Sequence, residues 1–292
     1  MSILNTISLE SNKKIKINFD GGDLSSDAGL LLIKEFISKI GLTALIKKFF
    51  RTNDAALRRF HVDADNLMQI LYQTIAAYFG DDCADELTCE PIFTAILEKN
   101  VLASQPTLSR FWNRMDEDTL AQFDQIDTRM CEILYSIRHP EHMLFDLDST
   151  LLAIYGRQEG EGFNYHYQAH GYHPLLCYDG LTGDLLKVEL RDGTQYCSKD
   201  ADQFMTPLMQ EYQEKYPSLP LYLRGDSGFA SPTPYETCEE NDCKYAIRLK
   251  NNAVLQHHAE DADEALYRFQ KRHDSRNICF VLFHWNHLLN IW

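Results

Sequence analysis

Two short stretches carry the residue types that could do chemistry. The first is Asp146-Leu147-Asp148-Ser149-Thr150, at the end of an alternating run, HMLFDLD, over 142–148. Side chains two apart on a strand point to one face, so Asp146 and Asp148 project together while Phe145 and Leu147 face the other way. Like charges that close need a cation or solvent to compensate them. The second is Arg224-Gly225-Asp226-Ser227-Gly228-Phe229. Here an aspartate closes a short apolar strand, and two glycines let the backbone turn tightly. Strand ends of this kind are where open α/β sheets hold their ligands. Taken singly, each stretch also suits an ordinary solvated strand end or turn. Side by side, Asp148 and Asp226 would offer hard oxygen ligands for Mg²⁺ or Mn²⁺. Two such ions can activate a water or a 3′-hydroxyl and stabilise the leaving oxygen of a displacement at phosphorus.

The elements around these residues must bring them together. The first half of the chain reads as helices: 27–50 with a break allowed at Gly41, then 64–79, 84–99, a short helix within 104–114 capped by Ser104 or Thr107, and 117–138. In the first of these, Leu31, Leu32, Phe36, Ile40 and Leu45 form the expected apolar stripe. After Pro140 the pattern becomes strand-like at 142–148, 173–179 and 184–191, with the turn Thr182-Gly183-Asp184 between the last two. A helix over 199–215, a strand over 219–225, a helix after Pro232 or Pro234 and a strand over 244–249 follow. Three strands, helix, strand, helix, strand is the order of an RNase H-like domain, an antiparallel hairpin extended by parallel strands with helices on its faces. The expected fold class is therefore α/β, an RNase H-like mixed sheet (141–292) preceded by an all-helical N-terminal part (1–140). In such a sheet the first and fourth strands are neighbours, which sets Asp148 beside Asp226.

Composition narrows the partners. With 292 residues, 45% of them hydrophobic, the chain can build one large core or two ordinary domains. The N-terminus lacks the apolar run of a signal peptide, and no stretch of roughly 18 uninterrupted apolar residues occurs, which argues against a membrane span. Eight scattered cysteines without a Cys-x-x-Cys pair read as reduced thiols of a cytoplasmic protein. The net charge of −15 counts against a nucleic-acid partner. Residues 1–60, however, hold ten Lys/Arg against six acids, and the acidic excess lies entirely in the remainder. A basic N-terminal part is compatible with DNA contact there. Arg110 and Arg114, four apart on the short helix, could reach phosphates or pair locally with Asp116 or Glu117. His166, His170 and His173 lie in a strand-and-turn stretch, with His173 facing opposite to the other two, so they read as surface or packed histidines. The His257-His258 pair reads as solvated loop.

Six stretches then align in order with a known family: GGDLSSDAGLLLIKEF (Gly21 to Phe36), SQPTLSRFWNR (Ser104 to Arg114), LFDLDSTLLAIYGRQEG (Leu144 to Gly160), GYHPLLCYDGLTGDLL (Gly171 to Leu186), LRDG (Leu190 to Gly193) and LRGDSGFASP (Leu223 to Pro232). On these the chain resembles the insertion-sequence transposases of the DDE type, group 1. The resemblance implies that Asp148 is the first catalytic carboxylate and Asp226 the second, with Asp146 in reserve for the first. It further implies Mg²⁺ or Mn²⁺ as cofactor and DNA cleavage and strand transfer as the activity. The implied partners are double-stranded DNA (terminal repeats and target) and other copies of the chain in a homo-oligomer on that DNA. Related enzymes carry a third acid in the pattern Tyr, two residues, Arg, three residues, Glu. In 227–292, Tyr235 and Tyr267 lack the Arg, Tyr245 has Arg248 but Asn252 in place of Glu, and Glu264 sits too early to substitute. Resemblance also fades from about Arg276. The expectation is a C-terminally truncated chain, inactive as it stands. Two alternatives are a shortened DNA-binding inhibitor of transposition and a divalent-metal nuclease.

Overall fold

The computed structural model describes residues 6–19, 21, 25–56, 58–80, 82–250 and 253, together with the backbone of 280–283 and 288–291. The chain divides into two units, Met1–Arg138 and His139–Trp292.

The first unit opens with a small antiparallel pair, β1 (Ile7–Ser8) and β2 (Lys16–Ile17). Helices follow: α1 (Leu30–Ile40), α2 (Leu42–Phe49), α3 (Asp63–Ile75), α4 (Cys83–Glu86), α5 (Pro91–Leu97), α6 (Gln105–Trp112) and α7 (Glu117–Arg138). The break between α1 and α2 falls at Gly41, whose φ of +76° lets its N–H reach back to the carbonyls of Ile37 and Ser38. The stretch 84–99, expected as one helix, is two. Pro91 begins the second, where its missing N–H does no harm, and the Glu90 carboxylate caps it by accepting from the Phe93 N–H. The buried face of α1 is also rotated from the expected stripe: Leu30, Leu31, Ile37 and Ile40 are inside, while Leu32 and Phe36 are exposed. Leu30, Leu31 and Ile37 form one core with Ile46, Phe50, Met68, Tyr72, Phe93 and Phe111. Phe50 lies in it with the Phe111 ring at 5.9 Å and the Phe123 ring at 5.0 Å. Gln69 is buried without loss, because its amide both accepts from Ala103 N–H and donates to Ala103 C=O at 2.9 Å.

The second unit contains β3 (Met143–Ser149), β4 (Leu152–Ala153), β5 (Gly162–Asn164), β6 (Ala169–Tyr172), β7 (Leu175–Asp179), β8 (Leu185–Glu189), α8 (Ala201–Lys215), β9 (Leu221–Gly225), α9 (Pro232–Glu240) and β10 (Cys243–Ile247). Beyond them β11 (Phe280–Phe283) pairs antiparallel with β12 (Leu288–Ile291). Five strands form a mixed sheet in the order β10-β9-β3-β7-β8. β3 runs antiparallel to β7 and parallel to β9, and β9 runs parallel to β10. This is the RNase H-like topology. Phe204, Met205, Leu208, Met209 and Tyr212 make the buried stripe of α8, and the Tyr212 ring meets Phe145 of β3 edge-on at 5.4 Å. The sequence did not foretell a second sheet, β4-β6-β5, inserted between β3 and β7.

Candidate active site

Strand β3 buries Met143, Phe145, Leu147 and Ser149 and turns Leu144, Asp146 and Asp148 to its other face. Its register with β9 pairs Asp146 with Arg224 and Leu147 with Gly225, so the next step along both strands sets Asp148 against Asp226. Neighbouring strands stand about 4.8 Å apart, which makes these carboxylates lateral neighbours. Asp226 is extended, and its Oδ1 accepts from the Gly228 N–H at 2.7 Å, which starts the tight turn Ser227–Phe229. Asp148 Oδ1 accepts from the N–H of Ser149 at 2.7 Å. No described side chain forms an ion pair with either one.

Asp146 behaves differently, although it shares a face with Asp148. Arg224 donates to it through two nitrogens, Nε at 2.9 Å from Oδ1 and Nη2 to Oδ2. The paired carboxylate in turn raises the Arg224 guanidinium above its usual value, through the hydrogen bond first. The reserve candidate is thus neutralised by its cross-strand neighbour, whereas Asp148 and Asp226 have no ion-pair partner among the described residues.

The loop between β8 and α8 closes over the end of the sheet. Ser149 Oγ donates to Cys197 Sγ at 3.2 Å, and a side chain at Gly228 would run into both Cys197 and Asp226 Oδ1. The loop is held from beneath by buried Arg191, which donates to the carbonyls of His173 (3.2 Å), Cys197 (3.3 Å) and Lys199 (2.8 Å). His173 Nδ1 bonds the Gln195 carbonyl at 2.8 Å, and its Nε2 has no partner among the described residues. The inserted sheet packs on the same loop backbone to backbone. A Cβ at Gly193 would strike the carbonyls of Gly162 and Gly171, and one at Gly171 would strike that of Leu152. Tyr167 follows β5 and sets its ring 5.9 Å from that of His173. Burial first, then the acidic groups Cys197, Asp148 and Asp226, push its hydroxyl upward. Lys250 Nζ donates to the Tyr196 hydroxyl at 2.7 Å, and its pKa is raised first by that bond and more weakly by Cys197 and Asp226.

The other sequence candidates are dispersed. Arg110 and Arg114 lie in the first unit. Arg110 is exposed on α6, with Thr107 Oγ1 at 3.4 Å. Arg114 is largely buried and committed to Asp63 at 2.9 Å, Asp54 at 3.5 Å and Thr52 Oγ1 at 3.0 Å, not to Asp116 or Glu117. His166 sits in the turn after β5, His170 pairs with Glu161 at 2.7 Å, and His173 is buried. Tyr245 lies on β10, stacked at 5.2 Å on Tyr235 of α9. Asn252, His257, His258, Glu264, Tyr267 and Arg276 are outside the described residues. Among the described residues no group of three or more His, Cys, Asp or Glu could hold a metal ion, so the site offers two carboxylates. Sequence reasoning missed Tyr167, Tyr196, Cys197 and Lys250. Only the LRDG stretch hinted at them, because its Arg191 and Gly193 position the loop that carries two of them.

The sequence profile of the family described as Transposase DDE domain group 1 matches residues 7–286, and so continues past residue 276, where the resemblance had been expected to fade. Comparison with curated proteins finds no match. Solved structures with detectable likeness include a simian T-cell lymphotropic virus intasome in complex with PP2A regulatory subunit B56 gamma. It is 12% identical, with 48% of this chain and 44% of that chain covered and a TM-score of 0.25. A piggyBac transposase synaptic complex with hairpin DNA gives 16%, 86% and 54%, with a TM-score of 0.41. The catalytic core domain of BIV integrase gives 13%, 47% and 76%, with a TM-score of 0.25. The chain spans about half the length of the first two. No described helix is long and apolar enough to cross a membrane.

Proposed function

Because the chain belongs to the Transposase DDE domain group 1 family, we propose that it is the DNA transposase of an insertion sequence, cleaving and joining DNA strands at the element's ends with Asp148 and Asp226 as its carboxylate pair. One observation carries this reading: the β3–β9 register, continued one step past Leu147 and Gly225, makes Asp148 and Asp226 neighbours at strand ends, and neither forms an ion pair with a described residue. Each is exposed and uses one oxygen on a local backbone N–H. That donor set, hard oxygens on an exposed rim, fits Mg²⁺ or Mn²⁺. When bound there, such an ion would supply Lewis-acid stabilisation of charge at phosphorus. Asp148 and Asp226 would then orient the scissile phosphate's surroundings from two adjacent strands. The Arg191 clamp would keep the Cys197 loop packed against Gly228, so that Asp226 holds its angle. We further assign duplex DNA, both terminal repeats and target, as the partner. The helical part, 1–140, would read the repeats, with Arg110 as its exposed phosphate contact and Arg114 as a structural residue. The enzyme would work in the cytoplasm as a homo-oligomer on DNA.

The test is a cleavage assay on linear DNA carrying the sequences that flank the protein's own coding region, with Mg²⁺ or Mn²⁺. Nicking confined to those ends, lost in Asp148→Asn and in Asp226→Asn but kept in Asp146→Asn, is the outcome of an active enzyme; the inactive chain expected from the missing third acid would bind those ends without nicking them. End-specific binding without cleavage would instead favour an inhibitor of transposition. Cleavage that ignores end sequence would favour a general divalent-metal nuclease.

A further inference from the structure

Tyr167 and Tyr196 leave large aromatic surfaces in water, 43% and 51% exposed. Single exposed aromatics are ordinary on protein surfaces. These two are fixed at the same place by a continuous set of contacts. The Tyr167 ring packs on the ring of His173, and His173 holds the Gln195 carbonyl, one residue before Tyr196. The next residue, Cys197, touches Ser149 at the end of β3 and Gly228 beyond Asp226. Through these contacts the turn before β6, which carries Tyr167, and the loop after β8, which carries Tyr196, are both tied to the strand ends that bear the carboxylate pair. The cation is also in place. Lys250 stands 5.3 Å from the centre of the Tyr196 ring and donates one N–H to its hydroxyl, while no described carboxylate forms an ion pair with it. A lysine ammonium has three donors, so two remain for an incoming anion.

Rings beside an unspent ammonium suit a nucleotide whose base has left the helical stack, because a paired base hides its faces. A peptide or lipid would match the rings but not a site of two bare carboxylates open to divalent cations. We propose that Tyr167, Tyr196 and Lys250 form a binding rim for an unpaired nucleotide beside Asp148 and Asp226, the rings stacking on bases and the ammonium holding a phosphate. Tyr155 and Tyr165, more exposed still and borne by the inserted sheet and its turns, extend the aromatic surface for further nucleotides. The inference deepens the reading of that same pair as the strand-cleavage site.

The test uses the full chain, a fluorescein-labelled oligo-dT of about 15 nucleotides, and anisotropy at low salt in EDTA. Tyr167→Ala and Tyr196→Ala should each weaken binding roughly tenfold, and the Phe variants should stay within about twofold of wild type, since stacking needs the ring alone. Lys250→Gln should weaken binding and flatten the dependence of log K on log salt by about 0.7. Phe79→Ala, a still more exposed aromatic of the other unit, should change nothing. The proposal is overturned if the chain does not bind oligo-dT, if the Ala variants bind like wild type, or if the Phe variants lose as much as the Ala ones. Matching thermal unfolding of each pair separates loss of the ring from loss of the fold. No metal is present, so the result is independent of cleavage. A chain that binds through the rim but never cuts keeps this inference and loses the transposase reading; one that cuts but ignores these residues does the reverse.

Discussion

Replacing Asp146 and Asp148, two residues apart on one face of β3, should move stability in opposite directions. Asp146 accepts two N–H groups from Arg224 across the parallel β3–β9 pair. Both side chains are partly exposed, at 31% and 53%, so the bidentate geometry is discounted for solvent screening. About 0.5–1 kcal/mol is its worth, the upper range for an exposed pair. Asp146→Asn keeps an acceptor oxygen but loses the charge, and should destabilise by that amount. Asp148 has no cation partner among the described residues and stands beside Asp226 on the neighbouring strand. At a separation of roughly 5 Å, and with the high effective dielectric of an exposed site, the mutual repulsion is about 0.5–1 kcal/mol at low salt. Asp148→Asn retains the oxygen that accepts from Ser149 N–H, so it should stabilise the metal-free protein by up to that amount. In a chain of this size the two changes correspond to shifts of about 1–4 °C, downward for the first and upward for the second. Differential scanning calorimetry at pH 7 in EDTA and low ionic strength reads both. Added salt should shrink the Asp148→Asn gain by screening. Added Mg²⁺ should raise the wild type more than the variant, because the variant has lost a ligand. If Asp148→Asn lowers the melting temperature as Asp146→Asn does, Asp148 is not an unspent charge beside Asp226, and the division of labour between the two aspartates is wrong.

Other expectations follow from the same contacts. Gly171→Ala and Gly193→Ala would each drive a Cβ into backbone carbonyls that cannot rotate away, and each should destabilise by about 2–3 kcal/mol; unchanged urea midpoints would refute the backbone-on-backbone packing of the inserted sheet. Arg114→Ala leaves Asp63 without its guanidinium at 13% side-chain exposure, while Asp54 keeps Arg59 at 2.7 Å, and should cost about 2–3 kcal/mol. Arg110→Ala should leave thermal unfolding unchanged while lowering the salt slope of duplex binding by about 0.9, and equal stability losses in both variants would contradict the two roles. His61 is held below the ordinary histidine value by burial first and then by Lys99, with Asp65 opposing. The unfolded chain therefore takes up this proton more readily than the folded one, so the His61 contribution is complete above about pH 6.5 and is lost as pH falls below it. His61→Gln should flatten the decline in melting temperature between pH 7 and 5, and an unaltered decline would show that other groups cause it.

How much of this could be read from residues alone depended on the range of the contact involved. β3 was legible because M-L-F-D-L-D-S alternates strictly, and the position of Asp226 was legible because an apolar strand ended on it. Their adjacency needed only the order of the elements, which the RNase H-like sheet converts into neighbouring strands. The Asp146–Arg224 pair was hidden, since it exists only in one register of β3 against β9: a one-residue slip would have set an apolar residue opposite the arginine, and a two-residue slip would have offered it Asp148 instead. Arg114 misled for a related reason: its local acids were plausible, yet its partner Asp63 is 51 residues away.

The inserted β4-β6-β5 sheet was the least legible element, and its physics explains why. Its strands are two to four residues long, too short for a period to register. They are joined to the catalytic loop through glycine backbones at 162, 171 and 193 rather than through a patterned apolar face. Such an element costs conformational entropy without burying much apolar surface, so a stability argument alone gives it little reason to exist. What it does accomplish is local. Gly162 and Gly193 let it lie against the 192–200 loop, Asn164 Nδ2 bonds the Gly193 carbonyl at 2.8 Å, and the turn after β5 sets the Tyr167 ring against His173, which holds that loop. An element that buries little yet braces the loop beside Asp148 and Asp226 is better accounted for by what it holds next to the site than by what it adds to the fold.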